Sequence, residues 1–330
     1  MFNDKTILIT GGSGSWGNEL TKQLLDKKPK KIIIFSRGEF AQVNMQRKFN
    51  DEKIKFVIGD IRDLNVLDQM FSINDIDYVF HLAALKHVPI CENQPQEAIK
   101  TNIVGTTNLI NIAIKYKVTK FIDVSTDKAV SPSNLYGMTK AIGEKITIQA
   151  NSLTTDTDFI CIRGGNVLGS NGSVLPFFID QIRNENEITI TDTRMTRYFL
   201  TLPQAIGLLF EAVENSVGGE IFVMNMPSFF ISDLANILIK SYGNEETTIK
   251  EIGMRESEKL HELLISKHES QSTYKFNQNY YVILPQLNIN RTYFYDKAKM
   301  VDFEEFSSED NIQPDKFLFQ LLSDCDFLKK

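Results

Sequence analysis

The run Thr6–Thr10 ends directly in Gly11-Gly12-Ser13-Gly14-Ser15-Trp16-Gly17, and an amphipathic helical pattern over Glu19–Lys27 follows. No other feature limits what the chain can fold into as strongly. Glycine lets the backbone turn tightly at a strand end and lets a pyrophosphate approach main-chain N–H groups. The following helix then presents its free N-terminal N–H groups to the negative charge. Glycines three apart mean little alone, but at the first strand-to-helix turn they read as a phosphate loop. Gly11, Gly14, Ser15, Trp16 and Gly17 are therefore candidate dinucleotide-binding residues.

The first half keeps this strand–helix rhythm. Lys31–Ser36, Lys55–Gly59, Asp77–Leu82, Lys120–Ser125 and Phe159–Arg163 read as buried strands, with helical patterns at Asp63–Phe71 and Glu97–Lys117. Nearly uninterrupted apolar strands alternating with helices predict an α/β fold with a doubly wound parallel sheet covered on both faces. After Gly164 the rhythm changes, and glycine, asparagine and proline punctuate the chain as far as Pro176. Residues 1–163 are expected to form a dinucleotide-binding domain. Residues 164–330 are expected to form mainly a smaller lobe, with segments returning to the first domain and a closing helix around Phe317–Leu322.

Composition excludes several function classes. A formal net charge of -6 without a basic stripe argues against a nucleic-acid partner. No run is apolar enough to span a bilayer and the N-terminus lacks a secretory layout, so a cytoplasmic protein with no membrane partner is expected. Cys91, Cys161 and Cys325 are odd in number and far apart, which suggests neither a disulfide framework nor a zinc site. No metal ligands are expected.

The second strand ends Phe35-Ser36-Arg37-Gly38, with no acid at its tip to bind ribose hydroxyls. Arg37 suits a 2′-phosphate, so the strand end favours NADP over NAD, although Glu39 follows closely. Asp60 and Ile61 lie where the adenine edge is expected, and Ala83 and Ala84 place small residues beside the cofactor. His81 is read as structural. The fifth strand ends Ser125-Thr126-Asp127-Lys128, and ten residues after Thr126 comes Tyr136-Gly137-Met138-Thr139-Lys140. Tyr136 and Lys140, four apart on a helix, share a face. A nearby ammonium favours a phenolate and lowers a pKa that starts near ~10. Such a phenolate can take a hydroxyl proton while hydride leaves the same carbon.

Taken together, these motifs resemble the extended short-chain dehydrogenases/reductases. Within them the chain is similar to the soluble UDP-N-acetylglucosamine 4,6-dehydratases of the polysaccharide-biosynthesis branch. The likeness covers nearly the whole chain. Its more specific runs are Ala84-Leu85-Lys86-His87-Val88-Pro89, Lys100-Thr101-Asn102-Ile103, Ser125-Thr126-Asp127-Lys128-Ala129 and Asn134-Leu135-Tyr136-Gly137. Further on come Gly172-Ser173-Val174-Leu175-Pro176-Phe177-Phe178, Thr191-Asp192-Thr193-Arg194-Met195-Thr196-Arg197 and Gly218-Gly219-Glu220-Ile221-Phe222-Val223.

The resemblance implies a Rossmann-type sheet with a smaller C-terminal substrate-binding lobe, tightly bound NADP, UDP-N-acetylglucosamine or a close UDP-sugar as substrate, and a homo-oligomer. It also implies a reaction. Tyr136 takes the proton of the 4-hydroxyl, Lys128 removes the carbon-5 hydrogen, Asp127 protonates the departing 6-hydroxyl, Thr126 bonds near the 4-oxygen and Asn102 supports the site. In the second lobe, Asn166, Ser173, Val174 and Pro176 would reach the sugar and phosphates, with Lys86 lining the pocket. Thr189–Thr191 would offer a strand edge to uracil, Arg197 and Arg255 would pair with the diphosphate, and Glu258 with ribose. Two departures stand out. Arg255-Glu256-Ser257-Glu258-Lys259 replaces the usual Arg-Pro-Gly-Glu-Lys, which suggests a more mobile loop, and Gly164 stands where a tyrosine is common, which suggests a wider sugar pocket.

The pair Asp127-Lys128, in place of the Asp-Glu of better-known configuration-retaining dehydratases, favours inversion at carbon 5. A lysine base needs a pKa below its usual ~10.4, and a desolvated site is expected to supply that. Two other functions fit parts of the same pattern. A UDP-sugar 4-epimerase needs Tyr136, Lys140 and cofactor but no elimination pair. A catalytically silent NADP-binding regulatory protein would be expected to lack a catalytic residue, whereas Thr126, Tyr136 and Lys140 are all present.

Overall fold

The computed structural model describes residues 1–170, 172–285, 295 and 298–329. Strands β1 (Thr6–Thr10), β2 (Lys31–Ser36), β3 (Ile54–Ile58), β4 (Tyr78–His81), β5 (Lys120–Thr126) and β6 (Asp158–Gly164) come from the first half. Short strands β7 (Asn166–Val167), β8 (Glu187–Ile190) and β9 (Thr196–Leu200) follow, and β10 (Ile221–Met224) returns to pair in parallel with β6. The remaining strands are β11 (Ser228–Phe230), β12 (Thr248–Glu251), β13 (Leu263–Ile265), β14 (Thr273–Lys275), β15 (Tyr280–Ile283), β16 (Lys299–Met300) and β17 (Phe306–Ser307). The main sheet runs β16-β14-β15-β10-β6-β5-β4-β1-β2-β3. From β10 to β3 all neighbours are parallel, whereas β15, β14 and β16 extend the sheet antiparallel. The strand order reverses between β1 and β4, and in such sheets ligands bind in the crevice this switch opens at the strand C-termini.

Strand periodicity explains why the sheet is covered on both sides. Ile7, Ile9, Ile32, Ile34, Phe80, Ile122, Ile160 and Ile162 face one core with Leu20 and Leu24 of helix α1 (Ser15–Asp26). The intervening Leu8, Ile33, Phe35, Val79, Phe121 and Phe159 face the other, against Leu67 and Phe71 of one helix and Leu109 and Ala113 of another. Each fully buried side chain of this size contributes roughly 1.5–3 kcal/mol, so both layers are strongly held. A separate core packs Ile188, Ile190 and Phe199 with helices Val174–Glu185, Ile231–Tyr242 and Asp315–Asp324. That last helix contains the expected Phe317–Leu322 pattern.

The other first-half helices are α2 (Glu39–Phe49), α3 (Leu64–Ser72), α4 (Val88–Asn93), α5 (Pro95–Ile99), α6 (Thr106–Lys115) and α7 (Leu135–Gln149). The single helix expected over Glu97–Lys117 is interrupted, because Lys100–Gly105 between α5 and α6 is a π-helical turn. There Asn102 turns inward and clamps Leu85: its Oδ1 accepts from Leu85 N at 2.8 Å and its Nδ2 donates to Leu85 O at 2.9 Å. Among the described residues no helix is long and apolar enough to cross a membrane.

Candidate active site

The phosphate loop is built by close approach. Gly11 has φ +65°, and a Cβ there would lie 2.8 Å from Ala83 N, so the loop is seated against the end of β4. A Cβ on Gly17 would lie 2.1 Å from Gly12 O, so only glycine lets α1 start this close to the turn. Gly14 caps α1 without a side-chain bond, and no acid occupies the first turn. That leaves an electropositive helix start suited to an anion. Ser15 and Trp16 open the same helix.

At the tip of β2, Ser36 Oγ bonds Ser13 Oγ at 2.9 Å and accepts from Gln42 Nε2 at 2.9 Å, tying the strand end to the loop. Arg37 has a half-exposed side chain and stands 3.8 Å from Asp60. Burial works against ionisation of Asp60, but Arg62 donates to it at 2.6 and 2.8 Å and holds the carboxyl below its ordinary range. Ile61 is buried, while Ala83 and Ala84 are partly exposed beyond β4. Burial pushes His81 down to about 4, and both its ring nitrogens bond threonines, Thr10 at 2.7 Å and Thr106 at 2.9 Å, which agrees with a structural role.

The catalytic candidates meet where α7 crosses the end of β5. Asn134 Oδ1 accepts from Gly137 N at 2.9 Å and caps α7. A Cβ on Gly137 would sit 2.1 Å from Lys128 O. Glycine at this one position therefore lets α7 rest on the turn Asp127–Ala129 and brings Tyr136 beside Thr126. Thr126 Oγ1 and Lys128 Nζ both donate to Asp127 Oδ1, at 2.8 and 3.1 Å. Asp127 is fully buried, and its Oδ2 has no partner among the described residues. Lys140 Nζ is held by Asp123.

Two electrostatic expectations are corrected. Burial raises the Tyr136 pKa, and the opposing influence of Lys140, Lys128 and Thr126 does not bring it below its ordinary value. Lys128 was expected to be depressed by desolvation. Burial does disfavour its ammonium, but Asp127 and the buried Glu262, 3.6 Å away, outweigh burial and raise the pKa well above an ordinary lysine.

The C-terminal segment 255–262 closes over this turn. Lys259 Nζ donates to Val130 O and Ser133 Oγ to Ser257 O, both at 2.7 Å. Arg197, expected at a diphosphate, is buried. Its guanidinium donates to the carbonyls of Thr196, Leu260 and Lys259 at 2.7, 3.0 and 2.9 Å and stands 3.7 and 3.8 Å from Glu258 and Glu262. Its bonding is thus turned toward the segment that carries Glu262. Arg255 is exposed.

Lys86 is exposed beyond β4, Asn166 lies on β7, and Ser173, Val174 and Pro176 form the cap and first turn of helix Val174–Glu185. Ser173 Oγ is buried with no partner among the described residues. Thr189 lies on β8 and Thr191 just past it; Thr189 N already donates to Gln181 Oε1 at 3.2 Å. A Cβ on Gly164 would make only ordinary contact, 3.9 Å from Leu200.

A profile of the family described as "Polysaccharide biosynthesis protein" matches residues 7–284. The chain belongs to that family. The chain is 45% identical over 293 residues to a UDP-N-acetylglucosamine 4,6-dehydratase (inverting) of Campylobacter jejuni subsp. jejuni serotype O:23/36 (strain 81-176), covering 88% of this chain and 85% of that one. It is 42% identical over 316 residues to a UDP-glucose 4-epimerase of Rickettsia bellii (strain OSU 85-389), covering 93% and 92%. The solved structure of Pen from Bacillus thuringiensis superposes with a TM-score of 0.92 at 38% identity, over 99% of this chain and 100% of that one.

The sequence pattern alone does not single out Asp123, Lys259 and Glu262. Asp123 did leave a signal, as a carboxylate inside the apolar strand Phe121-Ile122-Asp123-Val124. Glu262 left none, because its approach to Lys128 depends on the tertiary fold alone.

Proposed function

We propose that this chain removes water from UDP-N-acetylglucosamine, using NADP, to give a UDP-4-keto-6-deoxy-N-acetylhexosamine for bacterial surface-sugar biosynthesis. The observation that carries the reading is that the buried Asp127 and the partly buried Lys128 form a hydrogen-bonded acid–base pair beside Tyr136. An epimerase has no use for such a pair. The named activity of the Campylobacter relative supports the same reaction.

Gly11, Gly14, Ser15, Trp16 and Gly17 would hold the pyrophosphate, Ser36, Arg37, Asp60 and Ile61 the adenosine end, and Ala83, Ala84, Asn102, Tyr136 and Lys140 the nicotinamide end. When bound there, the nicotinamide supplies reversible hydride storage between carbons 4 and 6. Tyr136 takes the 4-hydroxyl proton, with Thr126 orienting the phenol. The resulting ketone acidifies the carbon-5 hydrogen. One proton then moves from Lys128 Nζ to Asp127 Oδ1 along their 3.1 Å hydrogen bond, which creates a neutral amine and a carboxylic acid together. The amine takes the carbon-5 proton, the acid protonates the 6-hydroxyl, water leaves, and the ion pair is restored.

Lys86, Asn166, Ser173, Val174 and Pro176 would line the sugar and phosphate path, with Thr189 and Thr191 toward uracil and Arg255 and Glu258 toward diphosphate and ribose. Arg197 would act by holding the 255–262 segment in place. The exposed Ile99, Val104, Met138 and Ile142 on adjoining helices support self-association. Cytoplasmic location is part of the same reading.

Incubation with UDP-N-acetylglucosamine tests the proposal: the product should lose the mass of one water. An unchanged mass with altered configuration at carbon 4 would favour the epimerase reading, which the Rickettsia relative supports. In deuterated water the fresh product should carry deuterium at carbon 5 with inverted configuration. Lys128→Ala should abolish water loss while cofactor reduction stays detectable.

A further inference from the structure

A carboxylate buried within a parallel strand is costly unless it is paired. Asp123 is such a group. It lies mid-way along β5 with 0% exposure, flanked in register by His81 on β4 and Cys161 on β6. From α7, Lys140 Nζ donates to both its oxygens, at 2.9 and 3.3 Å, and Lys140 is itself only 4% exposed. The other titratable groups facing this cluster are His81, Cys161 and Tyr136. His81 is held neutral by burial, and burial likewise keeps the Cys161 thiol protonated. Asp123 and Lys140 are thus the charged pair of the cluster, and the Lys140 charge acts on Tyr136.

We propose that Asp123 is a positioning residue for the oxidation step: its two contacts hold Lys140 as an ammonium in the buried site, so that a positive charge stands beside Tyr136 throughout the working pH range. The proposal rests on the reading of Tyr136 as the base. Burial is the largest influence on Lys140 and acts to strip its proton, yet with Asp123 in place the balance lies above an ordinary lysine. Without that counter-charge the ammonium is unsupported. Tyr136, already made harder to ionise by burial, then loses the positive neighbour on its own helix face.

Asp123→Asn keeps the shape and removes the charge. In the full-length variant, NMR of 13C-labelled lysine should show the Lys140 side chain titrating between about pH 7 and 9, with no such step below about pH 10 in the unmodified protein. Single-turnover reduction of nicotinamide by UDP-N-acetylglucosamine should fall at least about tenfold from pH 7 to 9 in the variant only. Below the new midpoint the two proteins should reduce cofactor at similar rates, which a merely structural defect would not produce. A Lys140 titration and a pH profile matching the unmodified protein would overturn the proposal. If Asp123→Asn does not fold, the unmodified protein decides: a Lys140 ammonium that persists to about pH 10 supports the proposal, and one that loses its proton between about pH 7 and 9 overturns it. The base reading fails separately, through a Tyr136→Phe variant with normal turnover, which leaves the Lys140 titration untouched.

Discussion

Replacing Gly137 by alanine should damage both stability and turnover. The new Cβ would lie 2.1 Å from Lys128 O and 3.0 Å from Lys128 C, both backbone atoms, and 3.1 Å from Pro132 Cβ. Contacts shorter than 3.0 Å are essentially never made by real Cβ atoms, so α7 or the turn Asp127–Ala129 must retreat by about 1 Å in a tightly packed interior. Alanine gains about 1 kcal/mol in helix propensity. Overpacking against backbone costs about 1–3 kcal/mol, and the upper part of that range applies because no flexible side chain is available to yield. The net loss is about 1–2 kcal/mol, or a fall in Tm of roughly 1.5–3 °C for a chain of this length. The effect on catalysis is larger, since a displacement of about 1 Å between base and reacting atoms costs on the order of 100-fold in rate. Gly143→Ala on the same helix is the matched control. Its nearest contacts, Asn102 O and Asp123 Oδ2, are both at 3.8 Å, so it should gain up to about 1 kcal/mol and keep its turnover. Thermal unfolding by circular dichroism and initial rates of product formation measure both effects. A Gly137→Ala protein with unaltered Tm and rate would refute the close-approach argument.

Arg37→Ala should weaken NADP+ binding by about tenfold or more while leaving NAD+ binding nearly unchanged, as titration calorimetry would show; equal affinities in the unmodified protein would remove the basis for NADP selection. Ser257 adopts φ +67°, a region that costs a non-glycine residue about 1–2 kcal/mol, so Ser257→Gly should raise stability by about 0.5 kcal/mol after glycine's own entropy cost; a lower urea midpoint would contradict this. Burial pulls the Glu269 pKa up, yet Arg163 and Ser266 hold it at about 2, below its unfolded value of about 4.3. Its contribution is therefore complete above about pH 4.5 and lost as pH falls toward 2, and Glu269→Gln should flatten the fall in urea midpoint over that range; an equally steep fall would show that Glu269 is not the titrating group.

Local pattern alone was enough to reveal the sheet and its phosphate loop. The strands Thr6–Thr10 and Lys31–Ser36 were legible to the residue, because apolar runs bounded by turn residues encode buried parallel strands without reference to distant parts of the chain. Tyr136 and Lys140 were legible as a pair because four residues is a property of the helix itself. Only the folded structure decided what those residues do to one another. Gly137 looks like any helical glycine until Lys128 O is found against it. Glu262 and Arg197 reach the catalytic turn through separate returns of the chain, and they and Asp127 together set the charge around Lys128. The proton affinity of Lys128 lies beyond local pattern for that reason: burial follows from an apolar neighbourhood, but the sign of a shift is a sum over every charge within reach, and most of those charges are brought there by tertiary packing.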